Sequence, residues 1–217
     1  MMEGSQIILY KGGQGEYTEK KSRFIADIFP VKSEEEALAG IAQIKKKHYD
    51  ARHNCFAYVI GDNYETERCS DDGEPSGTAG RPMLDVLVGK GIHNAAAVVT
   101  RYFGGTLLGT GGLVRSYSAA MKDALEHCVL MEEHMGFRLR VRTDYNDIGK
   151  LQYLVRSLEL PELDTVYADQ VEMFLLVPSG QINKVEKEIT EKTAGKALIE
   201  RQEELRYGAA DGEVILL

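Results

Sequence analysis

The chain has 217 residues, of which 43% are hydrophobic and 28% charged, enough for one large or two small soluble domains. No apolar run approaches the ~20 residues a membrane-crossing helix needs, and the opening MMEGSQIILYKGG lacks a basic stretch leading into a long apolar one, so no secretory leader is expected. The net charge is −8, with 15 basic and 19 acidic residues up to residue 135 and 11 and 15 after it; each part is −4, which excludes a broadly basic nucleic-acid-coating protein and confines any such contact to a local patch.

In chain order, residues 15–31 read as a hairpin whose better strand is 24-FIADIFPV-31. A helix follows, opened by a capping box of Ser33 with Glu36 and by acidic residues at its N-terminal end. Ala37, Leu38, Ile41 and Ile44 form its apolar stripe, and Lys45–Lys47 compensate the dipole at its end or offer charge to a polyanion. The segment 53-HNCFAYVIG-61 is apolar on both faces and reads as a buried strand. Residues 61–80 read as a long polar connection. Pro82–Gly89 suggests a short helix, 95-AAAVVTRYF-103 a second central strand, and Leu113–Cys128 a long amphipathic helix with Ser116 facing out. Beyond residue 135 the order is β-α-β-β-α-β, a ferredoxin-like pattern, with strands near 137–145, 164–168, 171–177 and 197–206. Its second helix is expected to be capped by Ser179, and the tail from Gly208 carries no strong signal.

Two glycine-bearing loops, 72-DGEPSGTAG-80 and 104-GGTLLGTGG-112, organise the first half. Glycine lets backbone amides approach a ligand closely, and a helix starting from the second loop adds unpaired N–H groups that suit an anion. The candidate anion or nucleic-acid site is Gly104, Gly105, Gly109, Gly111 and Gly112, bracketed by Arg101 and Arg115 and extended by Arg81 and Tyr102. The loop is neither a Walker A motif nor GxGxxG, because Leu113 and Val114 follow its last glycine and its spacing differs. In the first loop Asp71, Asp72 and Glu74, with Ser76 and Thr78, either hold Mg²⁺ or a catalytic proton, or cap the following turn and pair with arginines. No Cys-x-x-Cys pair accompanies His48, His53, Cys55 and Cys69, so no metal site is expected. Three scattered cysteines, Cys55, Cys69 and Cys128, fit a reducing cytoplasm.

The run 101-RYFGGTLLGTGGL-113, with 22-SRFIA-26, 52-RHNCFAY-58 and 70-SDDGEPSGTAG-80, closely resembles the YigZ/IMPACT family. The resemblance covers most of the chain. It implies an α+β protein of two domains, 1–134 and 135–217. The first would be similar to domain 2 of small-subunit ribosomal protein five, the second a ferredoxin-like domain similar to a terminal domain of elongation factor G. It also implies a link to translational control. Eukaryotic members carry an additional RWD domain with no counterpart here, so their partner is not carried over, and no catalytic residue is transferred.

Three functions compete on these residues. The first is a cytoplasmic RNA- or ribosome-associated regulator of translation, with Arg23, Arg52 and Lys45–Lys47 extending the surface and Tyr102 or Phe103 stacking on bases. The second is an enzyme on a small phosphorylated ligand or nucleotide, for which alone a cofactor, Mg²⁺, is implied. The third is a binding module for a basic translation-machinery protein.

Overall fold

The computed structural model describes residues 6–210 and 213–217, in two compact units that divide between Glu132 and Glu133. The leader-free reading of the N-terminus rests partly on residues 1–5, which lie outside the described residues. The architecture is mixed α+β throughout.

In the first unit, β1 (Gln6–Lys11) is followed by β2 (Gly13–Glu19) and β3 (Ser22–Pro30), then α1 (Glu34–Lys47), β4 (His53–Ile60) and β5 (Thr66–Ser70). After them come α2 (Gly80–Gly89), the two-residue β6 (Ile92–His93), β7 (Ala95–Tyr102) and α3 (Gly109–Glu126). Five strands form an antiparallel sheet in the order β2-β3-β7-β4-β5, while β1 pairs in parallel with β6. β7 is central, and the two-residue period of a strand sends its side chains to alternate faces. Ala96 and Val98 pack with Ala37 and Ile41 of α1, whereas Ala95, Ala97 and Val99 pack with Met83 and Leu87 of α2 and Tyr117 and Met121 of α3. The alanines leave room for helices to lie close on both faces. β2 goes further: a Cβ on Gly15 would fall 2.3 Å from the amide nitrogen of Ala124, so only a strand without a side chain there lets α3 lie against it.

Local chemistry explains the boundaries. Ser33 Oγ accepts from the Glu36 amide at 3.2 Å, and Glu36 reaches back to the amide of Lys32 rather than that of Ser33 itself. β5 runs through residues expected to be loop; TERCS is polar, and a polar edge strand has no alternation to betray it. β1 and β6 were also unmarked by pattern. α3 begins four residues before Leu113, so the second half of the glycine loop is its first turn. Ser116 is buried and donates to the Gly112 carbonyl at 2.9 Å, contrary to its expected outward position; bonding back to its own helix frees the hydroxyl from needing water.

The second unit takes the C-terminal part of β8 (Val129–Thr143), then α4 (Ile148–Ser157), β9 (Glu162–Tyr167), β10 (Val171–Pro178), α5 (Ile182–Lys192), β11 (Leu198–Ala210) and β12 (Glu213–Leu216). The antiparallel order β9-β10-β8-β11 is ferredoxin-like, with β12 added beside β11. Leu139, Val141, Met173 and Leu175 face Leu151, Leu154, Val185 and Ile189 of the helices. Two expectations fail here. Ser179 begins a 3-10 turn and does not cap α5, whose N-cap is Gln181, and the tail after Gly208 contains β12. On the outer face, Arg138, Arg140 and Arg142 are each paired, with Glu203, Glu172 with Glu200, and Glu172 respectively.

Candidate functional site

Adjacent residues of a strand point to opposite faces, and this separates the two best candidates. Arg101 turns toward α3 and Tyr102 toward α1. Arg101 is an interior residue: its side chain is 7% exposed and its Nη1 donates to Glu74 Oε1 at 2.7 Å, with Glu74 itself 3% exposed. Tyr117 donates to the same oxygen at 2.8 Å, and the Cys55 thiol donates to Tyr117 at 3.3 Å. The guanidinium lies 5.4 Å from the Phe24 ring centre and 5.6 Å from that of Phe103. Burial pushes the Tyr117 phenol well up and the Cys55 thiol up to about 12, so neither ionises near neutral pH. This cluster joins β3, β4, β7, α3 and the acidic loop; Arg101 serves as an internal ion partner and does not present its charge to solvent.

The acidic loop is likewise turned inward. Asp71 accepts from the amides of Gly77 at 2.8 Å, Ala79 at 3.0 Å and Gly80 at 2.9 Å, and so fills the N-terminal end of α2. Burial alone would raise its carboxyl, but those amides more than offset it and hold it below its ordinary value. Asp72 shows the same balance: burial raises it, while Lys45 at 2.9 Å and the Asn54 amide at 2.7 Å bring it below its ordinary value. Thr78 Oγ1 donates to the Pro75 carbonyl, Ser76 is exposed, and Arg81 pairs with Asp85 one turn on. Among the described residues no group of three or more His, Cys, Asp or Glu side chains converges as a metal site.

The second loop differs. Gly105, Thr106, Leu107, Gly109, Thr110 and Gly111 are exposed, and no side chain caps α3. Gly109 has φ +70°, a conformation glycine alone adopts cheaply. Gly104 is required for a different reason: a Cβ there would lie 2.0 Å from the Lys21 carbonyl carbon, so the loop is pressed onto the β2–β3 turn. Ser22 fastens the contact by accepting from the Gly104 amide at 3.1 Å. Arg115 is exposed and folds back along the first turn, its Nη1 3.6 Å from where a Cβ of Gly111 would stand. Among the described residues it has no carboxylate partner.

The contact with Gly104 brings in two residues that composition did not single out. Lys20 and Lys21 form the tip of the β2–β3 hairpin, both exposed, with φ of 45° and 66°. A two-residue turn of this hand favours Asn-Gly, and lysines there carry backbone strain. The available signal was a pair of alternating segments separated by two residues. Of the other cations considered, Arg23 is held by Glu16 at 2.6 Å and Lys45 by Asp72, while Lys46, Lys47 and Arg52 are exposed.

A chain with an all-antiparallel, helix-covered sheet, a glycine loop entering a helix, and a ferredoxin-like second unit is defined as a two-domain α+β protein with a solvent-facing helix start. The Impact N-terminal domain model matches residues 20–125, and a domain of unknown function, DUF1949, matches residues 141–196. The chain belongs to the IMPACT family. It is 39% identical over 203 residues to the IMPACT family member YvyE of Bacillus subtilis, covering 94% of this chain and 93% of that one. To YigZ of Escherichia coli it is 33% identical, covering 81% and 87%. Protein IMPACT of Mus musculus is 34% identical over 97 residues, 42% of this chain and 30% of that one. A crystal structure described as that of a hypothetical protein superposes with a TM-score of 0.59 at 31% identity, covering 94% of this chain and 99% of the other. No helix among the described residues is long and apolar enough to cross a membrane.

Proposed function

We propose that the protein is a cytoplasmic RNA- or ribosome-associated factor acting in translation, and that it holds backbone phosphate at the first turn of α3. One contrast carries this reading. The N-terminal amides of α2 are satisfied internally by Asp71, whereas the start of α3 is exposed, uncapped by any side chain, and overlain by the Arg115 guanidinium. Helix-end amides with a nearby arginine suit a phosphate oxygen. Lys20 and Lys21 stand beside the same loop and widen the patch despite the acidic whole. Arg101 enters this account as the residue that fixes β7 under the loop, and the resemblance to translation-machinery folds turns a phosphate site toward RNA by analogy.

The test is fluorescence anisotropy with a labelled single-stranded oligoribonucleotide across a salt series. Affinity should fall with salt, and Arg115→Ala should weaken binding and lower the log–log slope by about 0.7, one phosphate contact on a single strand. An unchanged affinity and slope in Arg115→Ala would remove the α3 start from the account.

A further inference from the structure

The two aromatic residues at the end of β7 have opposite surroundings. Tyr102 donates its hydroxyl to Asp50 at 3.0 Å and stands 2.9 Å from His48 Nδ1, so its polar end is engaged on the α1 side. Phe103 is 48% exposed and has no polar end to engage. The Arg101 guanidinium lies over its ring, 5.6 Å from the centre, and is itself fixed by Glu74 and backed by Phe24. One side of the ring thus rests on a buried, fixed support, while much of the remainder faces water. The backbone is held on both sides as well. Tyr102 pairs with Arg23 across the sheet, and the Gly104 amide donates to the buried Ser22.

A single exposed hydrophobic residue is ordinary. This one differs in being pinned and in what stands beside it. Lys20 and Lys21 form the turn against which Gly104, the next residue, is pressed; both are exposed, and neither has a carboxylate partner among the described residues. Glu19, at the same end of the hairpin, accepts from the Tyr17 hydroxyl at 3.4 Å and offsets only part of the two lysine charges. Gly109, where α3 starts, is six residues beyond Phe103, a span of at most ~20 Å. A fixed aromatic face, unpaired cations and an uncapped helix start within that distance are the parts of a single-strand site, in which bases stack on rings while the backbone follows positive charge. An aromatic side chain suits the task because few torsions need freezing when it meets a ligand.

We propose that a base of single-stranded RNA stacks on Phe103 while a phosphate of the same strand sits at the start of α3, so that the site takes unpaired RNA in preference to a duplex. Bases inside a helix are already stacked on one another and have no free face for the ring; those of loops and ends do. The inference rests on the RNA reading above and names the form of RNA that the site selects, and experiment separates the two.

The sequence contains no tryptophan, so Phe103→Trp carries the only indole of the protein, and a base stacking on it quenches its emission. The experiment uses the whole chain as wild type, Phe103→Trp, Phe103→Leu and Arg115→Ala, with circular dichroism confirming each fold. The probes are a short single-stranded oligoribonucleotide, the blunt duplex of the same sequence, and vesicles of phosphatidylcholine with phosphatidylserine. Wild type should bind the single strand more tightly than the duplex. Phe103→Leu keeps the apolar cover over Arg101 but not the aromatic face; it should weaken single-strand binding about five- to a hundredfold and leave duplex binding as it was. Phe103→Trp should keep wild-type affinity and lose emission as the single strand is added, a readout that stands even if Phe103→Leu does not fold. An indole whose emission does not change at saturating single strand overturns the stacking; if Arg115→Ala still weakens binding, the phosphate site at α3 survives. Quenching at full affinity after Arg115→Ala supports Phe103 and overturns the α3 site. An indole shifted to the blue by the vesicles, with no response to either oligonucleotide, makes Phe103 and the exposed Leu107 a membrane-inserting tip and overturns both readings. No binding of either oligonucleotide by wild type also overturns both.

Discussion

Removing Arg101 should destabilise the first unit and not merely weaken a ligand contact. Its partner Glu74 has a side chain only 3% exposed, so Arg101→Ala leaves a carboxylate inside with Tyr117 as its remaining hydrogen-bond donor. Breaking a buried pair on one side costs about 3–5 kcal/mol. That is a large share of the ~5–15 kcal/mol stabilising a typical domain. For a unit ending at Glu132 it corresponds to a fall in Tm of roughly 10–20 °C. Replacing both partners, Arg101→Met with Glu74→Gln, should recover most of the loss, since no charge is then stranded. Amide hydrogen exchange in β7 and α3 is the suitable assay, because it reports this unit without the second. A loss below about 1 kcal/mol in Arg101→Ala, or singles and double that simply add, would show that the pair is not coupled and refute the interior role.

Four further outcomes follow from the same geometry. Asp71→Asn should lower stability by about 1 kcal/mol, the value of a helix cap, seen as a shift in the denaturation midpoint. Because the Asp71 carboxyl is held below its ordinary value, its contribution is full above about pH 4 and lost as pH falls through the folded value; the variant should show a shallower acid limb in pH-dependent unfolding. Gly104→Ala should disrupt the hairpin contact, its Cβ meeting backbone at 2.0 Å, and heteronuclear NMR should show shifts spreading from Lys21 and Ser22. Alkylation of the native protein followed by peptide mapping should modify exposed Cys69 first and Cys55 only on unfolding, since burial keeps the Cys55 thiol protonated.

The two central strands and the three helices of the first unit, and the βαββαβ order of the second, were legible because each repeats apolar residues at its own period. What periodicity does not encode is which polar residue meets which. Arg101 and Arg115 looked equivalent beside one glycine loop. Only the fold brings Glu74, 27 positions away, to the first and leaves the second at the surface. Polar strands such as β5 escape for a related reason: their order comes from neighbours, and no residue within TERCS signals it. The glycines misled in part, since Gly104 answers to packing against Lys21 while Gly109 and Gly111 already belong to α3.

The position of β7 has a consequence for how the molecule is made. It lies between β3 and β4, pairing Arg23 with Tyr102 and His53 with Arg101, so it joins two hairpins that precede it by dozens of residues. A growing chain that has reached residue 90 owns both hairpins and no strand to unite them. Such long-range closure is slow, and the unit gains its sheet in one late step, when the last strand to be synthesised enters the middle.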